Sequence, residues 1–371
     1  MKLIATTLQG LEDVLAKEIK AIGGSKIRML KRAVLFEGSR YTLYAANLYL
    51  RTAIRILAPI LEIKVKNEED LYQKIKEIEW EKIFNTTQTF AVYGITSSPI
   101  FRHSKYVALK SKDAIADRFR ERFNRRPSVD TQDPDLVVNI HIRNDRLTVS
   151  LDSSGKTLHM RGYRKISVDA PISENLAAGL LHLLNWDTDL PLYDPMCGSG
   201  TFLAEAYFLG KKLSPHPSEK HFLFKNWKDY SEELYQRVLE EFTQSDKEKN
   251  LSLYGSDIDR KAVDATNFNL QRIEGADIKV HMQDFFDSKK NFESGFMIIN
   301  PPYDERLALE DSIEFYELIG KTLKQGYPGW TVGIVSGNLN AMKGMGLRPT
   351  KSYELKNGPI EVYFSIFKIY A

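Results

Sequence analysis

The chain has 371 residues, 43% of them hydrophobic and 27% charged, with a formal net charge of +3, the balance of an ordinary globular protein long enough for two or three domains. Its single cysteine excludes an intrachain disulfide framework, a thiolate zinc site and an iron–sulfur cluster, and none of the seven histidines forms a pair at metal-ligand spacing, so no metal is expected. No apolar run is long enough to span a bilayer and Met1–Thr7 is too short an apolar start for a signal peptide, so no membrane association and a cytosolic location are expected.

Residues 1–43 read as a small α+β unit. Leu3–Thr7 is strand-like; Leu11, Val14, Leu15, Ile19 and Ile22 fall at helical spacing, and Gly23-Gly24 stops that helix. Ala33–Phe36 gives a second strand. Residues 44–155 alternate further: helices over Tyr41–Leu50 and Asp70–Trp80, strands over Ile54–Val65 and Thr89–Thr96, and a long helix over Ser104–Phe123. Two strands follow, Leu136–Arg143 and Leu147–Leu151, joined across Asn144-Asp145.

Charge in this region is uneven. From Arg102 to Arg126 nine basic residues face three acidic ones, a net +6, which leaves the rest of the chain at −3. A basic strip that includes Arg102, Lys105, Arg118, Arg122 and Arg125 suggests phosphate contacts, although a solvated helix face has the same composition. Arg118, Arg122 and Arg125 would share one helix face. The connection 156–169 adds Arg161 and Arg164 about Tyr163, and Ala170-Pro171-Ile172 is read as opening a helix with proline in its first turn.

Leu192–Asp194 then reads as a short buried strand, followed by the turn Pro195-Met196-Cys197-Gly198-Ser199-Gly200 and an apolar helix from Thr201. Such a strand, glycine turn and helix form a ligand cradle, because glycines let backbone amides approach and a helix start presents unpaired N–H groups. Two glycines, with no acid about 20 positions on, do not suit a dinucleotide. An acid before the glycines (Asp194), another after the next strand (Asp257, in strand 251–257), and Asn300-Pro301-Pro302-Tyr303 after strand 296–299 suit S-adenosylmethionine instead. Those last four residues resemble the catalytic motif of class I amino-methyltransferases.

An insertion over 213–250 carries a helix at 231–243 and has no readable role; a cap beside the site and scaffolding fit equally. Helix 260–273, strand 278–283, helix 312–325 and strand 331–336 continue the alternation, and strands 353–356 and 362–369 close it as a hairpin whose turn is set by Asn357-Gly358. The fold class expected is α/β: a Rossmann-like doubly wound sheet with a terminal antiparallel hairpin, preceded by α+β elements.

With Gly10-Leu11-Glu12, Arg161-Gly162-Tyr163-Arg164, Ala170-Pro171-Ile172, Asp194–Thr201, Tyr254–Asp257, Asn300–Tyr303 and Lys356–Pro359 together, the sequence resembles, over essentially its whole length, the bacterial rRNA guanine-N2 methyltransferases with a THUMP RNA-binding domain, above all the N-terminal half of bifunctional members that act on 23S rRNA. The resemblance implies a ferredoxin-like element at 1–43, a THUMP domain at 44–155, a linker at 156–169 and a class I methyltransferase domain at 170–371. It implies S-adenosyl-L-methionine as cofactor, held by Asp194, Pro195, Met196, Cys197, Gly198, Ser199, Gly200, Thr201, Asp257, Ile258, Asp284, Phe285 and Asn300. Asp194 would sit near the amino-acid end, Asp257 on the ribose with Asp259 as competitor or helix cap, and Asp284 at the adenine amine.

Asn300 and the Pro301 carbonyl would accept the amine N–H groups, Pro302 would stiffen the loop and Tyr303 would stack on the base. RNA is the implied partner, as 23S rRNA or a ribosome-assembly intermediate, with the protein a monomer or weak dimer. Two departures stand out. No second methyltransferase domain follows, so the second activity of the bifunctional members is not expected, and Asp304 stands where the family has glycine. Cys197, inside the cofactor loop, argues against thiolate-dependent pyrimidine methylation. A tRNA guanine-N2, DNA adenine-N6 or protein glutamine methyltransferase, and a non-catalytic RNA-binding assembly factor, remain as rivals.

Overall fold

The computed structural model describes residues 1–168, 171–217, 220–243, 249–302, 309–358 and 360–370. Two mixed sheets organise it, of eight and seven strands.

The first sheet draws on β1 (Lys2–Thr7), β2 (Ser25–Leu30), β3 (Ala33–Glu37), β4 (Ala53–Lys64), β5 (Thr89–Ser97), β6 (Ser128–Val129), β7 (Leu136–Arg143) and β8 (Arg146–Asp152), in the order β2-β3-β1-β4-β8-β7-β5-β6. Between them run α1 (Glu12–Ala21), α2 (Arg40–Tyr49), α3 (Glu68–Glu77) and α4 (Ser104–Phe123). Local chemistry sets their ends. Gly23, at φ +83°, lets its N–H and that of Gly24 reach back to Lys20 and Ile19 carbonyls and stop α1. Ser39 and Thr42 form a capping box on α2, and the Asn67 side chain accepts from Asp70 N–H to cap α3. Strand β2 is invisible to sequence reading because five of its six residues are exposed, so no alternating apolar face marks it.

The second sheet has the order β11-β10-β9-β12-β13-β15-β14. Its elements are α5 (Glu174–Leu184), β9 (Leu192–Asp194), α6 (Thr201–Gly210), α7 (Glu232–Thr243), β10 (Leu253–Asp257), α8 (Arg260–Leu270), β11 (Lys279–Met282), β12 (Phe296–Ile299), α9 (Leu309–Gly326), β13 (Thr331–Ser336), α10 (Leu339–Lys343), β14 (Lys351–Asn357) and β15 (Ile360–Lys368). Strands β9 to β13 pair in parallel; β15 is antiparallel to β13 and to β14. The chain moves outward from β9 through β10 to β11, then returns to β12 on the other side. That reversal between β9 and β12 is where open parallel sheets bind ligands. One sequence expectation fails here: α5 begins at Glu174, so Pro171 precedes the helix rather than occupying its first turn.

The insertion has a structural role. Phe222, Phe224, Trp227, Tyr235 and Val238 belong to the core of the first sheet, not the second. Phe224 stacks on Tyr44 of α2 with ring centroids 4.5 Å apart, and Phe242 on Tyr49 at 4.1 Å. Burial of this kind makes Phe224→Ala a cavity mutation that should cost about 3–5 kcal/mol. Urea unfolding of the variant, followed by tryptophan fluorescence, measures this; a loss under about 1 kcal/mol would contradict the scaffolding role.

Candidate active site

At the carboxyl ends of the parallel strands lies a cavity of about 740 Å³. Four loops and the connection before α5 build it. The β9–α6 turn contributes Pro195, Met196, Gly198, Ser199 and Thr201; the end of β10 contributes Asp257, Ile258 and Asp259; Asp284 and Phe285 follow β11; and Asn300, Pro301 and Pro302 follow β12. Ile166–Val168 with Pro171 and Ile172 form the opposite wall. Most candidate cofactor residues thus converge on one cavity. Asp194, Cys197 and Gly200 are buried and do not line it. Tyr303 and Asp304 lie outside the described residues.

The glycine turn needs its glycines. Gly198 and Gly200 have φ of +55° and +79°, and a Cβ on Gly200 would meet Thr266 Cγ2 at 2.8 Å. Asp257 is oriented by two backbone donors: its Oδ2 accepts from Gly198 N–H at 3.0 Å and its Oδ1 from Asp259 N–H at 3.0 Å. The carboxylate is therefore fixed at the cavity wall with lone pairs to spare for a ligand. Asp259 accepts from Lys261 N–H as the cap of α8, which accounts for it structurally. Asp284 likewise accepts from Phe286 N–H. Ile258 is 67% exposed, an apolar side chain uncovered at the cavity. Asp194 is deeply buried; burial, and then the charge of Asp257, push its carboxyl well above the usual carboxylate range.

Asn300 is the most informative residue. Its side-chain oxygen Oδ1 is buried and has no hydrogen-bond partner among the described residues. An unpaired buried acceptor costs about 1–3 kcal/mol, and it is kept at the wall of the cavity, between β12 and the rigid Pro301-Pro302 pair.

Two further residues, Thr266 and Asn269, give no sequence signal. Both are fully buried and lie on one face of α8. Thr266 Oγ1 donates to the Gly198 carbonyl at 2.8 Å. Asn269 Nδ2 donates to the carbonyls of Ser199 (3.0 Å) and Ile166 (2.8 Å), and its Oδ1 accepts from Lys165 and Ile166 N–H. One side chain thereby ties the glycine turn to the opposite wall.

The expected RNA-contacting residues need correction. The Arg161 guanidinium is buried, paired with Glu205 Oε1 at 3.4 Å and donating to the carbonyls of Arg51 (2.6 Å) and Leu158, so it cannot meet RNA. Arg164 is spent on Glu174 (2.8 Å), the Ile172 carbonyl (2.8 Å) and Thr201 Oγ1 (3.4 Å). Arg118 is largely buried against Glu81 at 2.7 Å, and Arg122 pairs with the same carboxylate. Helix α4 ends at Phe123, with Asn124 left-handed, so Arg125 does not share its face with Arg118 and Arg122. Arg102 and Lys105, at the start of α4, make no ion pair among the described residues.

This fold and site define a Rossmann-like methyltransferase domain behind a mixed α/β unit. Residues 161–365 match the family model "RMKL-like, methyltransferase domain", residues 65–152 the THUMP domain, and residues 2–57 the RlmL ferredoxin-like domain. The chain belongs to the RMKL-like methyltransferase family. A Synechocystis protein, provisionally named an RNA methyltransferase, is 37% identical over 370 residues, covering 99% of this chain and 96% of that protein. The crystal structure of SMU.472, provisionally named a methyltransferase and complexed with SAH, superposes with a TM-score of 0.90 at 30% identity, covering 100% and 98% of the two chains. A Listeria monocytogenes protein described as a predicted N6-adenine-specific DNA methylase superposes at 0.89 with 27% identity, over 99% and 96%.

The Cys197 thiol does not line the cavity. It is buried, and burial pushes its pKa well up. Alkylation by iodoacetamide at pH 8 should therefore be at least about 100-fold slower in the folded protein than in urea, since the thiolate is the reactive form; mass spectrometry reads the adduct.

Proposed function

We propose that this protein is an RNA methyltransferase that moves a methyl group from S-adenosyl-L-methionine to the exocyclic N2 amine of a guanine, in 23S rRNA. The buried oxygen of Asn300, which has no partner among the described residues, carries the amine assignment. An acceptor kept at that cost is satisfied when a donor enters, and an exocyclic amine offers two N–H donors.

S-adenosyl-L-methionine, when bound, supplies a methyl group on a sulfonium centre. The residues present fit it. Asp257, already aligned by Gly198 and Asp259 N–H, would accept from ribose hydroxyls, and exposed Ile258 would meet an adenine face. The Gly198–Gly200 turn lets backbone approach closely, and Asp284 stands at the far wall.

The guanine amine is a poor nucleophile because its lone pair is delocalised into the ring. Asn300 Oδ1 and the Pro301 carbonyl, accepting its two N–H groups, would tilt the nitrogen toward sp³ and stabilise the positive charge that develops there. The nitrogen gains the methyl group and sheds one proton to water. Pro301 and Pro302 hold this loop stiff, so little reorganisation is needed. The target base has to leave its helix to reach the cavity, which suits a THUMP-bearing chain that grips RNA elsewhere.

Nucleoside mass spectrometry of rRNA from cells with and without the protein tests the assignment. Loss of N2-methylguanosine in the 23S fraction is expected; loss of N6-methyladenosine, or of a tRNA modification, would overturn it. Asn300→Ala should lower turnover by on the order of 10²-fold or more, as losing one transition-state hydrogen bond does. Cofactor affinity by calorimetry should stay within about twofold, and near-normal turnover would remove Asn300 from its role.

A further inference from the structure

The basic run of α4 first suggests an RNA grip, but most of it is neutralised at home. Lys110 pairs with Glu69, Lys112 with Asp113, Arg120 with Asp117, and Arg118 and Arg122 share Glu81. A different surface keeps its charge. Helix α4 covers one face of the first sheet, closely enough that a Cβ on Gly94 would meet the Ser104 carbonyl at 2.6 Å. On the opposite face, register places Tyr93 beside Asn139, Ile95 beside His141, and Ser97 beside Arg143, while Arg143 lies directly opposite Arg146 across the β7–β8 hairpin. Cross-strand partners share a face.

One end of that face is closed: Leu223 of the insertion packs on Ala91 and Val137. The other end is open. Tyr93 is 45% exposed and Ile95 57%, and His141, Arg143 and Arg146 are exposed. Two like charges set directly opposite each other in a ladder repel, and neither arginine forms an ion pair among the described residues; the nearby turn acid Asp145, whose charge Arg146 feels, is itself paired with Lys64 at 2.8 Å. The surface therefore combines uncovered apolar and aromatic side chains with a cationic pair that no direct ion pair ties down. Flat rings on a sheet take the faces of unstacked bases, and arginines beside them take the phosphates that join those bases.

We propose that the open face of the first sheet, centred on Tyr93, Ile95, His141, Arg143 and Arg146, docks a single-stranded segment of RNA, with a base against Tyr93 and the backbone at the arginine pair; this rests on the proposed RNA methyltransferase function. A duplex is disfavoured there, because its bases are already stacked and present no free face to Tyr93.

Binding of a fluorescent single-stranded oligoribonucleotide, and of an RNA duplex of the same length, is measured at several salt concentrations on the full chain. Three variants are compared: Tyr93→Ala, the double reversal Arg143→Glu with Arg146→Glu, and a control reversal, Arg125→Glu with Arg126→Glu, beyond the far end of α4. Tyr93→Ala should weaken single-strand binding about tenfold with an unchanged salt slope, since stacking carries no charge. The Arg143/Arg146 reversal should weaken it further and flatten the plot of log affinity against log salt by about 0.7 for each phosphate that is no longer neutralised. The control should change the slope by less than half as much. All four proteins should bind S-adenosylmethionine alike and share one melting temperature, because the altered side chains are exposed. If the wild-type chain binds no RNA at any salt concentration, the RNA reading itself fails. If it binds but the Tyr93 and arginine variants bind equally well, or the control reversal matches the Arg143/Arg146 reversal, this docking face is wrong and the RNA reading stands.

Discussion

Two buried guanidinium groups hold the two sheets in one relation. Arg51, just after α2, donates to the carbonyls of Phe208 and Leu213 at the end of α6 (2.8 and 2.6 Å). Arg161, in the connection, reaches back to the Arg51 carbonyl and across to Glu205 on α6. Desolvation is severe enough to lower the Arg51 pKa to about 10 against the pull of Glu205 and Glu18. Burying such ions costs several kcal/mol each unless carbonyls and carboxylates surround them; here carbonyls and Glu205 meet most of the donors, while Arg51 Nη1 has no hydrogen-bond partner among the described residues. The geometry admits few alternatives, because every donor that is displaced would leave a charge without water or partner. Arg164 extends the lock to Ile172 and Thr201, both on the cavity wall.

Rigidity at the cavity follows from the same economy of polar groups. The turn that would receive the cofactor has little side-chain bulk of its own, and its shape comes from neighbours: Asp257 on one amide, Thr266 and Asn269 on its carbonyls. Among the described residues that line the cavity, the acceptor on Asn300 is the exception, buried with no hydrogen-bond partner. A pocket in which most polar groups are satisfied and one is left open discriminates by what it lacks, since a ligand without a donor at that point gains nothing there.

Much of this architecture is legible in the amino-acid order, and the failures have physical causes. Helix α4 and strands β7 and β13 run over the spans that their periodicity predicts, because each has a face that must be buried. Strand β2 does not, being an exposed edge. The turn, the acid that ends β10 and the Asn-Pro-Pro loop are readable because the residues that shape each of them lie close together in sequence. Thr266 and Asn269 are not, since a threonine and an asparagine within a helix carry no mark of the carbonyls they meet some 70 residues away. Net charge misleads for a similar reason: Glu81, which neutralises Arg118 and Arg122, lies 37 and 41 residues earlier in the chain. A local excess of arginine says nothing about partners that arrive by folding.

The insertion after α6 has a consequence for how the chain is made. Phe222, Phe224 and Trp227 complete the core of the first sheet, yet they follow the cofactor turn in the order of synthesis. A nascent chain emerging from the ribosome thus exposes the α2 face that carries Tyr44 and Tyr49 until a stretch of the second unit has been translated. The usual sequence, in which an N-terminal domain closes before its successor appears, does not apply to it. The first unit therefore completes its core only once residues through Phe242 have emerged, and until then the half-finished first sheet is the part left uncovered.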